Sequence, residues 1–290
     1  MTTNPLFGVR VKIDRAKHHL GNLETAITRY HGANPYAITA DVDTESGQVN
    51  YRFHYLQPIP CEWGGVVGEI VHALRSSLDN LATALAVHNG RTSNTIIKNT
   101  YFPIGTTKES FDRKLPCDLK GASATARRLA ERMKPYKGGT DAFWILHQLD
   151  ILDKHTALIP VGTGRGRVGI KFPAPPMFPD ESDIPVSYVA PELPMVHFDL
   201  AVPFPLKHGE VIFGMGLGGS ALKIGPEGAQ IDTTEQTRKK KTDLQFTFEI
   251  AFGEGQIIDG EPVIPALKQL IDFTERVADI FARHIFKTVM

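Results

Sequence analysis

The chain has 290 residues, 42% of them hydrophobic, which is enough for a proper core in one large domain or two modest ones. Its 32 basic residues balance 32 acidic ones, so no global field draws it to nucleic acid or membrane, and a charged partner has to be met by a local patch. Cys61 and Cys117 lie far apart outside any Cys-x-x-Cys spacing, which excludes a disulfide scaffold and structural zinc; with no signal-like apolar start and no run of about 18 apolar residues, a cytoplasmic protein without membrane contact is expected.

In chain order, Ile13, Ala16, Leu20, Leu23 and Ile27 recur at helical spacing and predict a first helix near residues 11–30, stopped at His31-Gly32. Tyr36 to Asp43 and Gln48 to Gln57 predict a β-hairpin around the polar turn Thr44-Glu45-Ser46-Gly47. Pro58 and Pro60 close it. A long second helix is predicted over 62–88, followed by a loop and the short extended piece Tyr101-Phe102-Pro103-Ile104. Further helices are expected over 123–134, ended by Pro135, and over 141–155, capped by Thr140 or Asp141.

From Thr156 the texture changes to frequent glycine and proline with alternating runs, Phe198-Leu200-Val202 and Leu244 to Phe252, and reads as β-rich. Pro173, Pro175, Pro176, Pro179 and Pro185 make a stiff connection inside it. A last amphipathic helix over 262–287 carries Ile264, Leu267, Ile271, Ala278, Phe281 and Ile285 and needs a partner, for which the first helical block is the natural choice. The expected fold is therefore α+β. A mainly helical domain with its hairpin occupies 1–155, a β-rich region 156–261 is inserted, and 262–290 packs back on the helices.

The second helix locates a candidate site. Val67, Val71, Leu74, Leu78, Leu81 and Leu85 form its core stripe, while the opposite side carries Glu69, His72, Arg75, Ser76, Asp79, Asn80 and Thr83, and the segment holds no lysine. A solvated face normally carries long lysines and glutamates. Short or forked polar groups, flanked by Val66, Ala73, Ser77 and Ala84, instead point to an inward-facing cluster that meets another helix, with His72, Arg75 and Asp79 close to His147 or Asp150.

Glu69-x-x-His72, with Asp79 beyond it, resembles the ligand pairing of carboxylate-bridged bundles, but the later helix offers only His147-x-x-Asp150, with Asp153 and His155 further on. No metal and no cofactor are expected. Asp150 and Lys154 are spaced as an ordinary i,i+4 pair. Between Arg113 and Lys137 eight basic residues face Asp118 and Glu131, a local charge of +6, and Arg127, Arg128 and Arg132 crowd one short helix as a patch for RNA or a nucleotide, unless it is simply solvated. A second basic run, Arg238 to Lys241, reads as a charged loop tip. Gly164-Arg165-Gly166-Arg167-Val168-Gly169 fits a dinucleotide fingerprint by spacing, yet the extended Ile170-Lys171-Phe172-Pro173 after it predicts a glycine hairpin in place of the required helix.

The segments His72 to Ala82, Phe102-Pro103-Ile104, Leu146 to Leu149 and Asp153-Lys154-His155 resemble an uncharacterised family of actinobacterial and phage proteins. The resemblance covers roughly Gly68 to His155. Relatives of that pattern carry His where this chain has Asn80, and Arg where it has Thr156. With that His the pattern is similar to the signature of HEPN ribonuclease domains, an Arg followed after four to six residues by a His, in small helical bundles that pair to form a site, which implies a homodimer and a phosphate anchor at Arg75. An asparagine amide does not titrate near neutral pH, so binding of RNA or a nucleotide without cleavage is implied, or else use of His72 or His147 in its place. The expected roles are then catalytic for His72, Arg75 and His147, and orienting for Glu69, Asp79, Asp150 and Lys154. Two other classes stay open: a non-enzymatic interaction or structural protein with a satisfied polar network, and a metal-dependent hydrolase using Glu69, His72, His147 and Asp150.

Overall fold

The computed structural model describes residues 4–43, 45, 48–156, 158, 160–163, 165–170, 196–201, 205–216, 222–225, 228–232 and 248–287. The proline-rich connection, the Arg238–Lys241 run, Gly164, Val202, Leu244 and Phe246 lie outside the described residues. The fold is α+β. The chain forms two compact units, Met1–Gly32 with Pro60–Pro160 and Ala251–Met290, and Ala33–Ile59 with Val161–Ile250.

The first unit is helical: α1 (Phe7–Gly32), α2 (Glu62–His88), α3 (Asn94–Lys98), α4 (Lys108–Asp118), α5 (Ala124–Arg132), α6 (Asp141–His155) and α7 (Val263–Phe281), which runs into a π-helical turn, Ala282–Phe286. α2 is its central element and packs on α1, α6 and α7. All six residues of its leucine-valine stripe are buried, and so are Ile70, Ala73, Ala82 and Ala86 on its flanks. α7 lays Leu267, Ile271, Ala278 and Phe281 against that core and is tied to α1 by Lys17–Glu275 and Lys268–Glu24 ion pairs of 2.5 Å. Ile264 and Ile285 are only half-buried, because the covered face turns through Leu270, Thr274 and Val277 instead.

Two close approaches set the position of the chain around α6. An added Cβ at Gly64 would stand 2.0 Å from the Leu158 carbonyl oxygen, and one at Gly68 would stand 1.9 Å from an Asp153 carboxylate oxygen. At Gly64, against a backbone carbonyl, only hydrogen fits, whereas at Gly68 a side chain fits only if the Asp153 carboxylate moves aside. The stretch between Ile104 and Ser123, for which the sequence predicts no element, contains α4, whose Thr107 side chain accepts from the Ser110 amide at 3.2 Å and whose sole fully buried residue is Phe111. A helix with one core contact and a proline, Pro116, near its end has no periodic signature.

The second unit holds a five-stranded sheet of order β1 (Tyr36–Val42), β2 (Gln48–Tyr55), β6 (Val211–Gly216), β8 (Gly228–Asp232) and β7 (Leu222–Gly225). β1 and β2 are the expected hairpin, in register from Tyr36 opposite Tyr55 to Val42 opposite Val49. The sequence groups this hairpin with the helices. It belongs to the second unit instead, because β2 pairs antiparallel with β6 across more than a hundred and fifty residues of chain. Tyr36, Phe53 and Phe248 interlock here with ring centroids 4.7 to 5.6 Å apart. The remaining pairs are β4 (Arg165–Ile170) with β5 (Val196–Ala201), and β3 (Pro160–Thr163) with β9 (Glu249–Phe252). β4 thus finds its partner beyond the proline-rich connection and not in a glycine hairpin with β3. It is extended, so the phosphate-cradling helix that a dinucleotide fingerprint needs is absent there.

Candidate functional site

The polar faces of α2 and α6 meet. Arg75 is the centre of the contact, with its side chain 9% exposed. Its Nη1 donates to Asp79 Oδ1 at 2.6 Å, its Nη2 to the Phe102 carbonyl at 3.1 Å and its Nε to His147 Nδ1 at 3.4 Å. The Phe102 amide donates to the same Asp79 oxygen at 2.9 Å. Arg75 and Asp79, one helical turn apart, therefore clamp both polar groups of one residue in the extended Phe102-Pro103-Ile104 piece. Phe102 is held from the other side by stacking on Phe143 (centroids 5.4 Å apart) and by the edge of Phe281.

A second cluster is built on Asp150, whose side chain is 3% exposed. Its Oδ1 accepts from His72 Nδ1 at 2.9 Å and its Oδ2 from Lys154 Nζ at 2.5 Å, the i,i+4 pair read from the sequence. His72 is half-exposed, and its Nε2 lies 3.3 Å from Ser76 Oγ.

Between the two clusters opens a cavity of about 360 Å³. Arg75, Asp79, His147, Asp150 and Lys154 line it from α2 and α6; Lys114 and Asp118 from α4 and the Tyr101–Ile104 segment line the rest. Lys114 Nζ donates to the Ile104 carbonyl at 2.8 Å. Burial, with Arg75 and Lys114 adding to it, pushes the His147 imidazole down to about 4, so this ring is neutral at physiological pH. Burial also pushes the Asp79 and Asp118 carboxyls above their ordinary range, against the pull of Arg75 and Lys114 respectively. Because Arg75 Nε can only donate, His147 Nδ1 accepts and the ring proton sits on Nε2. His147 is thus a neutral donor whose basic lone pair is already engaged.

Several expected site residues go elsewhere. Glu69 pairs with His19 of α1 at 3.3 Å, away from His72 and Asp150. Asn80 donates to the Gly8 carbonyl of α1 at 3.2 Å, so this position faces the first helix and not the cavity. On α5, Arg127 is half-buried and Arg128 and Arg132 are exposed; none lines the cavity. Among the described residues, no group of three or more His, Cys, Asp or Glu side chains is arranged to hold a metal ion. Of the four residues considered for one, Glu69 pairs with His19, His72 and Asp150 pair with each other, Asp150 also holds Lys154, and His147 accepts a hydrogen bond from Arg75.

No protein-family model matches the chain, and neither a curated protein nor a solved structure matches it. No helix among the described residues is long and apolar enough to cross a membrane. The residues that sequence reasoning did not single out are Lys114 and Asp118, one turn apart on the unrecognised α4, and Tyr101. Their only signal was Thr107 followed by Glu109, the start of a capped helix.

Proposed function

We propose that this is a cytoplasmic, HEPN-like protein whose helical unit holds a phosphate-bearing ligand, a nucleotide or a stretch of RNA, without cutting it. The observation that carries the reading is the convergence of N–H donors on one opening: the Lys114 ammonium, the unengaged N–H bonds of Arg75 and the Nε2–H of a neutral His147. A phosphate accepts from all three kinds. Its volume, about 360 Å³, suits a small ligand or one nucleotide of a longer strand. Arg127, Arg128 and Arg132 would meet the backbone of such a strand. Binding without cleavage follows from the cavity lining, since its one imidazole, His147, has no free basic lone pair, and neither His72 nor Asn80 lines it.

Calorimetric titration with AMP and with a short single-stranded RNA tests it. Binding should weaken with added salt, and Lys114→Ala should weaken it about tenfold or more, the loss of a charge-assisted hydrogen bond. No heat at millimolar AMP or RNA, or an affinity unchanged in Lys114→Ala, refutes the reading.

One observation favours a second reading, a structural protein with a satisfied network. Three N–H groups of Arg75 and both oxygens of Asp150 already have protein partners. In that case no ligand binds and the clamp on Phe102 is the whole purpose of the motif.

A further inference from the structure

His72 and Ser76 stand outside the cavity lining, and the phosphate-binding reading does not use them. They are four residues apart on one face of α2, close enough for their side chains to touch. The hydrogen bonds around them run in one direction. Asp150 carries two carboxylate oxygens, one of them held by the Lys154 ammonium, and accepts from His72 Nδ1, so the proton of the neutral imidazole sits on Nδ1. Nε2 then has a free lone pair, and it is Ser76 that donates, Oγ–H to Nε2, across 3.3 Å. The result is a hydroxyl on a base and a base oriented by a buried carboxylate, the arrangement that defines an activated serine whatever the fold around it.

We propose that Ser76, His72 and Asp150 form a serine nucleophile site that takes the acyl group of a carboxylic ester. Ser76 Oγ bonds to the ester carbonyl carbon as its proton passes to His72 Nε2. The tetrahedral oxyanion collapses, the bond from carbon to the alcohol oxygen breaks, and the alcohol leaves with the proton from Nε2. Water repeats the two steps on the acyl-Ser76, giving the carboxylic acid and the free serine. Asp150 touches neither ester nor water and is a positioning residue.

The site is accessible, since His72 is half-exposed, and it therefore takes a small ester from solution with no enclosed acyl pocket. Ser76 lies in the middle of α2, where backbone amides are engaged in the helix itself, so no pair of amides faces the oxyanion. The Lys154 ammonium, half-exposed on the other oxygen of Asp150, is the cation of this cluster able to turn toward it. Loss of amide donors slows acyl transfer by about a hundredfold or more, and slow deacylation makes the acyl-serine accumulate.

The experiment treats the whole chain with p-nitrophenyl acetate and, separately, with a fluorophosphonate, and reads intact mass and the modified peptide. One acetyl or phosphonyl group on Ser76 is expected, absent in Ser76→Ala and formed about a hundredfold more slowly in His72→Ala. Asp150→Asn should slow acylation and change its pH profile, because an amide can hold the other imidazole tautomer. Both Ser76 and His72 carry little of the core, so their variants fold even if Asp150→Asn does not. A wild-type chain that gives no adduct with either reagent, adducts confined to lysines, or Ser76 labelled at the wild-type rate in His72→Ala would overturn the proposal.

Discussion

Truncating Arg75 separates a ligand anchor from a structural clamp more sharply than any other change. Arg75→Ala removes a 2.6 Å charge-assisted bond to Asp79, a 3.1 Å bond to the Phe102 carbonyl and the weaker contact with His147, and leaves a void where a 9% exposed side chain stood. Breaking a buried pair by deleting one partner costs roughly 3 to 5 kcal/mol, because the other charge stays behind. Asp79 keeps its bond from the Phe102 amide and its side chain is 29% exposed, so the lower end applies, about 3 kcal/mol. Urea denaturation at pH 7, read by the near-ultraviolet signal of the aromatic residues, measures it directly. The cost should shrink as the pH is lowered, because the Asp79 carboxyl is pushed upward by burial and takes a proton more readily once Arg75 is gone. A loss below about 1 kcal/mol would refute the clamp and leave Arg75 free for a ligand.

Gly64→Ala should destabilise the helical unit by about 2 kcal/mol, since its Cβ meets a backbone carbonyl that cannot move alone; Gly68→Ala should cost less, and Asp153→Ala should relieve it, both read by thermal melts. His147 binds its proton more weakly folded than unfolded, so the stability it contributes is complete above about pH 6.5 and falls as the pH drops toward about 4, by about 2 kcal/mol after allowance for its partial exposure. His147→Gln should flatten that slope in denaturation measured from pH 7 to 4, while the raised carboxyls of Asp79, Asp118 and Asp153 pull the other way at the acid end of the window. Asn80→His should not create ribonuclease activity on a fluorescent RNA, because that position faces Gly8 of α1; cleavage by the variant would show that the His reaches the Arg75 cavity after all.

The helices with a regular apolar stripe were legible in the sequence, and the second one was legible to its end residues, Glu62 and His88. The meeting of the two polar faces was legible too, because a lysine-free face opposite a leucine stripe has few other uses. What its members do there was not. Glu69, Asp79 and Asn80 look alike as polar positions, but their partners outside α2 are His19, the Phe102 amide and the Gly8 carbonyl, and each is fixed by the rotation of α2 against neighbours that are distant in sequence. α4 escaped because a single buried phenylalanine makes no period, and Lys114 and Asp118 went with it. The expected place of the hairpin followed from chain proximity, whereas β2 is extended on its far edge by β6.

The interleaving of the two units bears on how the molecule comes into being at the ribosome. The α1 and α2 surfaces on which α7 packs are made early, but α7 follows the whole second unit in the chain. Until then those surfaces stay open to solvent, and the nascent helical unit carries an unpaired apolar groove for most of its synthesis. Assembly of the α1, α2 and α7 core therefore waits until the second unit has been synthesised, and a chain stalled before Ala251 presents the kind of bare surface that chaperones bind.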